Sequence, residues 1–190
     1  MNAPLVRSLP LAAFSLAFCL AAQAQTTPPI KPGLWQIHSD RQVDGQKAPD
    51  LGEQMKKMSP EMRKRMEANM KLHGVDMSGG PGSMKMCMTR ESLDQGRWQG
   101  AEGNCKTDFT SRSASSWKWR SSCGQPPSQS EGEASFASPE SYTVKSNTTM
   151  TLQGQTRVTQ MVMSGKWLGA DCGDLKPIAP PAKVAPKAKP

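Results

Sequence analysis

The stretch CKTDFTSRSASSWKWRSSC, residues 105–123, constrains the fold of this chain more than any other. With a turn over Ser113–Ser115 centred on Ala114, antiparallel partners have numbers that sum to 228, so Cys105 faces Cys123, Phe109 faces Trp119 and Ser111 faces Trp117. Alternation places these pairs on one face and Lys106, Asp108, Thr110, Lys118 and Arg120 on the other, with Asp108 opposite Arg120. A slip of one residue would mix the faces, so the pattern specifies its own register. The stretch therefore predicts a β-hairpin closed by a Cys105–Cys123 disulfide, which stabilises by about 3 kcal/mol through loop closure.

A disulfide needs an oxidising compartment, and the N-terminus predicts one. MNAPLVRSLPLAAFSLAFCLAAQAQ has Arg7 in a short polar start, an apolar run from Leu9 to Ala22 and an A-x-A site, features of a secretory signal peptide over residues 1–24 cleaved after Ala24. The run is about 14 residues, short of the roughly 20 that span a bilayer. Cys19 falls inside the leader, and Phe18 before it stands where a lipoprotein signal would have a small residue. The mature chain is left with Cys87, Cys105, Cys123 and Cys172, an even set that reads as two disulfides, Cys87–Cys172 following by elimination. Zinc is the competing reading, but no two of the four stand two to four residues apart. Apolar residues make up only about 31% of the mature chain, so covalent links are useful to it.

The remaining periodicity is mostly that of strands. In GLWQIHSDRQV, Trp35, Ile37 and Val43 share one parity, and Gln36, His38 and Asp40 share the other. In SYTVKSNTTMTL, Tyr142, Val144, Met150 and Leu152 alternate with Thr143, Lys145, Asn147, Thr149 and Thr151. Gln153-Gly154 suits a tight turn into QTRVTQMVMSGKW, which sets Met161 opposite Ser146 and Met163 opposite Val144. EGEASFA, with Phe136 inward, and SMKMCMT around Cys87 add shorter strands. With no βαβ spacing, six or seven strands predict a mainly β domain over residues 25–175, an antiparallel meander curled into a bent sheet or half-open barrel.

One insertion, about residues 50–73, is helical. Asp50 with Glu53 forms a capping box, Ser59-Pro60 starts a second helix and Gly74 stops it. Leu51, Met55, Met58, Met62, Met66 and Met70 fall within an arc of about 120° at 100° per residue. Such a stripe packs most simply as core against the open side of the sheet. Because methionine is adaptable, the stripe also suits a partner surface, and its basic face suits a membrane surface.

After Cys172 the chain turns low-complexity. GDLKPIAPPAKVAPKAKP follows Cys172, and its part over residues 176–190, taken as a tail, predicts a disordered or polyproline-like extension whose four lysines offer weak contact to envelope polymers or lipid head groups. Lys31-Pro32-Gly33-Leu34-Trp35, the Met-rich Ser-Pro-Glu helix, Met86-Cys87-Met88-Thr89, the Cys105 and Cys123 pair, and Met163-Ser164-Gly165 with Gly169-Ala170-Asp171-Cys172 together resemble the DUF3617 family of exported proteobacterial proteins. The resemblance covers about residues 30–174 and implies a periplasmic location in a Gram-negative bacterium. It implies no catalytic or ligand residues, since the family is a domain of unknown function.

Catalytic parts are sparse. His38 and His73 are the two histidines, neither lies in a triad or H-E-x-x-H motif, and no P-loop, G-x-S-x-G or dinucleotide fingerprint occurs. The sequence therefore predicts a non-enzymatic protein with no cofactor. The leading reading is a periplasmic binding or interaction module that receives a protein segment or apolar ligand on a sheet face carrying Trp35, Phe109, Trp117 and Trp119, or on the Met-rich helix. One alternative is a Cu(I) protein using Met84, Met86 and Met88, because thioethers select that ion. A structural or envelope-stress protein with no small ligand is the other. The net charge of +8 comes with no nucleic-acid motif, and an exported chain does not meet nucleic acid.

Overall fold

A computed structural model describes residues 27–80, 82–96 and 105–178. The predicted leader and residues 179–190 of the predicted tail lie outside the described residues. Among these residues nine strands form one sheet: β1 (Gly33–Val43), β2 (Gln46–Lys47), β3 (Val75–Asp76), β4 (Ser83–Met88), β5 (Cys105–Arg112), β6 (Ser116–Gly124), β7 (Pro127–Ser138), β8 (Ser141–Leu152) and β9 (Gln155–Gly169). The order is β3-β4-β1-β9-β8-β7-β6-β5, with β2 paired to β1. All the strand pairings are antiparallel, and the sheet is open. Strands β5 to β9 make the expected meander. The count exceeds the expected six or seven because β2 and β3 are two-residue strands, too short to leave an alternation in sequence.

The opening hairpin keeps the predicted register from Cys105↔Cys123 to Phe109↔Trp119. Its tip departs from it. A bulge at Thr110 shifts the pairing by one residue, so Arg112, and not Ser111, faces Trp117. The guanidinium of Arg112 lies 3.9 Å from the Phe109 ring centroid and 5.0 Å from that of Trp117, a favourable place for a cation on an aromatic face. In the hairpin of β8 and β9, Val144↔Met163 and Ser146↔Met161 pair as expected, and Gln153 and Gly154 both have the positive φ of a type I′ turn.

Inward residues of seven strands meet in one core: Trp35, Ile37, Met88, Trp117, Trp119, Ala134, Phe136, Tyr142 and Val144, with Phe109, Met163 and Trp167 packed against it. A single sheet cannot bury one face alone. Ile30 from the segment before β1 and Leu93 from α3 (Arg90–Asp94) complete the cluster from off the sheet. Two glycines fit aromatic rings onto the strands: a Cβ on Gly165 would lie 2.2 Å from the Tyr142 ring, and one on Gly132 would lie 2.3 Å from the Trp119 ring. Each glycine is the direct cross-strand partner of its aromatic residue. Gly165→Ala is expected to cost about 1–3 kcal/mol by overpacking. Gly169→Ala, where a Cβ would meet nothing within 4 Å, is the control, and urea unfolding of the two variants measures the difference.

The insertion forms two helices, α1 (Leu51–Lys56) and α2 (Pro60–Leu72). Their starts are those read from sequence: the Asp50 carboxylate accepts from Glu53 N–H at 3.1 Å and the Ser59 hydroxyl from Met62 N–H at 3.3 Å. The core reading of the methionine stripe does not hold. Met55 is buried, but α2 buries no residue, leaving Met66 and Met70 half-buried and Met62 exposed. Residues 57–59 interrupt the helix, and within α2 alone Met62, Met66 and Met70 share a face of which only the part around Met66 and Met70 is packed.

The predicted start of the tail also needs correction. Pro177 bridges to Cys87, Ile178 N–H donates to the Cys87 carbonyl at 3.2 Å, and Ile178 packs against the core, so residues 176–178 belong to the folded body. The Cys87–Cys172 disulfide forms as expected and brings this segment to β4.

Candidate functional site

The aromatic residues singled out as a binding face are committed to packing. Trp35, Trp117 and Trp119 are buried, and half-buried Phe109 packs against Trp117 edge-on at 5.4 Å. Trp35 stacks at a tilt on Tyr142, with centroids 5.2 Å apart, and its Nε1 donates to the Lys31 carbonyl. Burial also pushes the pKa of Tyr142 up, keeping its phenol neutral inside the core. The aromatic residues of that face are buried in one cluster with Ile30 and Leu93.

Met84, Met86 and Met88 share the inward face of β4, opposite Ile37, Trp35 and Gly33 of β1. Met88 is buried, and Met84 and Met86 pack against the core cluster. These contacts describe packing, and Cys87 on the other face is bonded to Cys172. Among the described residues, no group of three or more His, Cys, Asp or Glu side chains is placed to hold a metal ion.

On the outward face, His38 stands directly across from Ser83. The Ser83 hydroxyl is 3.2 Å from Nδ1 and the Asp40 carboxylate 3.4 Å from Nε2. Sequence reading missed this cluster because Ser83 is 45 residues from His38 and only the strand pairing joins them. A serine, an imidazole and a carboxylate are the components of an activated nucleophile. Here, however, the serine is buried, its hydroxyl meets Nδ1 across the β1–β4 pairing, and Nε2 faces Asp40 two residues along β1. Elsewhere the outward face carries shallow depressions, one of about 520 Å³ between Lys118, Arg120, Glu131 and Lys145. Charges of both signs neighbour each other there, as with Lys118 and Glu133 at 3.8 Å. That is a solvated sheet face with no single preferred charge.

Helix α2 is different. Its half-buried side is Arg63, Met66, Glu67 and Met70, and its other residues, among them Glu61, Met62, Lys64, Arg65, Lys71 and Leu72, are exposed. No helix among the described residues is long and apolar enough to cross a membrane.

The sequence profile of a family described as a protein of unknown function, DUF3617, matches residues 30–172. The chain belongs to the DUF3617 family. The matched region takes in all nine strands of the DUF3617 sheet, both helices of the insertion and both disulfides, and it stops at Cys172. No curated protein and no solved structure matches the chain. In this DUF3617 protein, Lys176–Ile178 and the lysine-rich sequence after them therefore follow the family region, while α2 lies inside it.

Proposed function

We propose that this protein is an exported, non-catalytic interaction module of the periplasm that docks through α2. One observation carries the reading: α2 is well capped and bears large apolar side chains, yet buries none of its residues. A helix held by tertiary contacts normally commits an apolar face to the core. The leader-like N-terminus and the two disulfides support an oxidising compartment. The aromatic face supports no apolar ligand, because its own side chains fill it.

A photo-crosslinking residue placed in living cells at position 62 or 72 tests this, with position 149 on the outward sheet face as control. The expected result is adducts from 62 and 72 and none from 149. Equal yields at all three positions would overturn the docking role of α2.

A further inference from the structure

An open sheet has two edges, and here they differ. At one end stands β3, two residues long and directly after α2. At the other stands β5, whose neighbour among the described strands is β6 alone. Main-chain groups along such an edge are a template for a further strand. The bulge at Thr110 interrupts that template toward the hairpin tip and leaves residues 105–109 in regular register.

The hairpin fixes which groups face that edge. The Cα atoms of Cys105 and Cys123 are 4.1 Å apart, the close spacing of a cross-strand pair that exchanges no main-chain hydrogen bonds. Two residues along, Thr107 and Ser121 are a pair of the same kind, and their hydroxyls meet at 3.0 Å. The N–H and C=O of Thr107 therefore point away from β6. Lys106 and Asp108 turn their main-chain groups toward β6, and both side chains are exposed on the outward face.

We infer that β5 pairs antiparallel with β5 of a second copy of this chain, about a twofold axis at Thr107. Edge-facing groups meet only in registers that set odd-numbered residues against odd-numbered ones. With the axis at Thr107, Lys106 faces Asp108 of the second copy and Asp108 faces its Lys106, so symmetry makes two opposite-charge pairs at once. Thr107 then faces its own copy, itself a favoured cross-strand pair. Moving the axis by one residue either way sets Lys106 against Lys106 or Asp108 against Asp108, which repel. Charge thus selects one register. An unrelated strand would need the same alternation reversed, whereas a second copy supplies it by symmetry. So short a pairing is a small interface, and the dimer is weak and concentration-dependent. Its edge is the one remote from β3, so each copy keeps α2 at the outer end of the joined sheet. The pairing is therefore independent of the docking role of α2.

Sedimentation velocity of the mature chain from about 1 μM to about 1 mM, a range that spans weak reversible association, tests the pairing. The expected result is a monomer–dimer equilibrium that weakens as salt rises. Lys106→Asp and Asp108→Lys each bring like charges face to face, so each variant alone should associate at least about tenfold more weakly. Mixed in equal amounts, the two variants restore both opposite-charge pairs and should form a heterodimer with about the native affinity. That rescue is a readout which a purely structural role of either residue would not give, and circular dichroism checks that each variant is folded. A chain that stays monomeric over the whole range overturns the inference. So does a dimer that survives in either variant alone, or a mixture that fails to associate. None of these results alters the crosslinking expected from positions 62 and 72, so the two proposals stand or fall separately.

Discussion

Replacing Cys87 and Cys172 together with alanine is expected to lower the free energy of unfolding by about 4–5 kcal/mol. The two are 85 residues apart, and the entropy removed from the unfolded chain grows with the logarithm of the closed loop. The same change at Cys105 and Cys123, 18 residues apart, is expected to cost about 3 kcal/mol. The longer link also holds the segment through Ile178 to β4, so its loss should release Ile178 from the core as well. Urea denaturation of the two double variants gives the comparison. An equal or larger cost at Cys105 and Cys123 would show that the longer loop is already constrained in the unfolded chain.

Trp117→Ala is expected to cost about 3–5 kcal/mol, the usual range for a large aromatic removed from a core. The side chain is 1% exposed, packs edge-on to Phe109 and Phe136 and donates from Nε1 to the Ser113 carbonyl at 3.0 Å. It therefore ties the sheet interior to the turn of its own hairpin. Trp117→Phe keeps most of the apolar contact and removes that hydrogen bond, so a cost of about 1–2 kcal/mol is expected. Denaturation midpoints and near-ultraviolet circular dichroism measure both. A loss below about 1 kcal/mol for Trp117→Ala would mean that the site collapses easily around the missing ring.

The local design was legible in the sequence because it rests on short-range rules. Alternation and the two cysteines set the register of β5 and β6 as far as Phe109 and Trp119, and Asp50, Ser59 and Gly74 bounded the helices. The bulge at Thr110 was not legible, since Ser111 and Arg112 are both polar and neither announces that the guanidinium would lie over aromatic rings. Nor was the fate of the tryptophans. Alternation places Trp35 and Trp117 on an inward face but cannot show that they are buried in one cluster with Ile30 and Leu93. The methionine stripe misled for a related reason: periodicity marks a face as apolar without saying whether anything packs on it. The return of residues 176–178 to the folded body depends on the Cys87–Cys172 link and on Ile178 joining β4, both long-range contacts.

The position of β1 between β4 and β9 has a consequence in time. Trp35 finds its partner Trp167 on the last strand, and Leu34 pairs with Gly169 beside it. A chain delivered N-terminus first can form the successive hairpins of β5 to β8 while β1 still lacks one neighbour. The inward tryptophan of β1 must then wait for nearly the whole domain before its strand is flanked on both sides. Such long-range closure makes assembly of the sheet intrinsically slow. The half-finished intermediate exposes an unsatisfied strand edge next to an aromatic surface, which marks the interval before β9 arrives as the moment when this protein is most open to aggregation or to a folding helper.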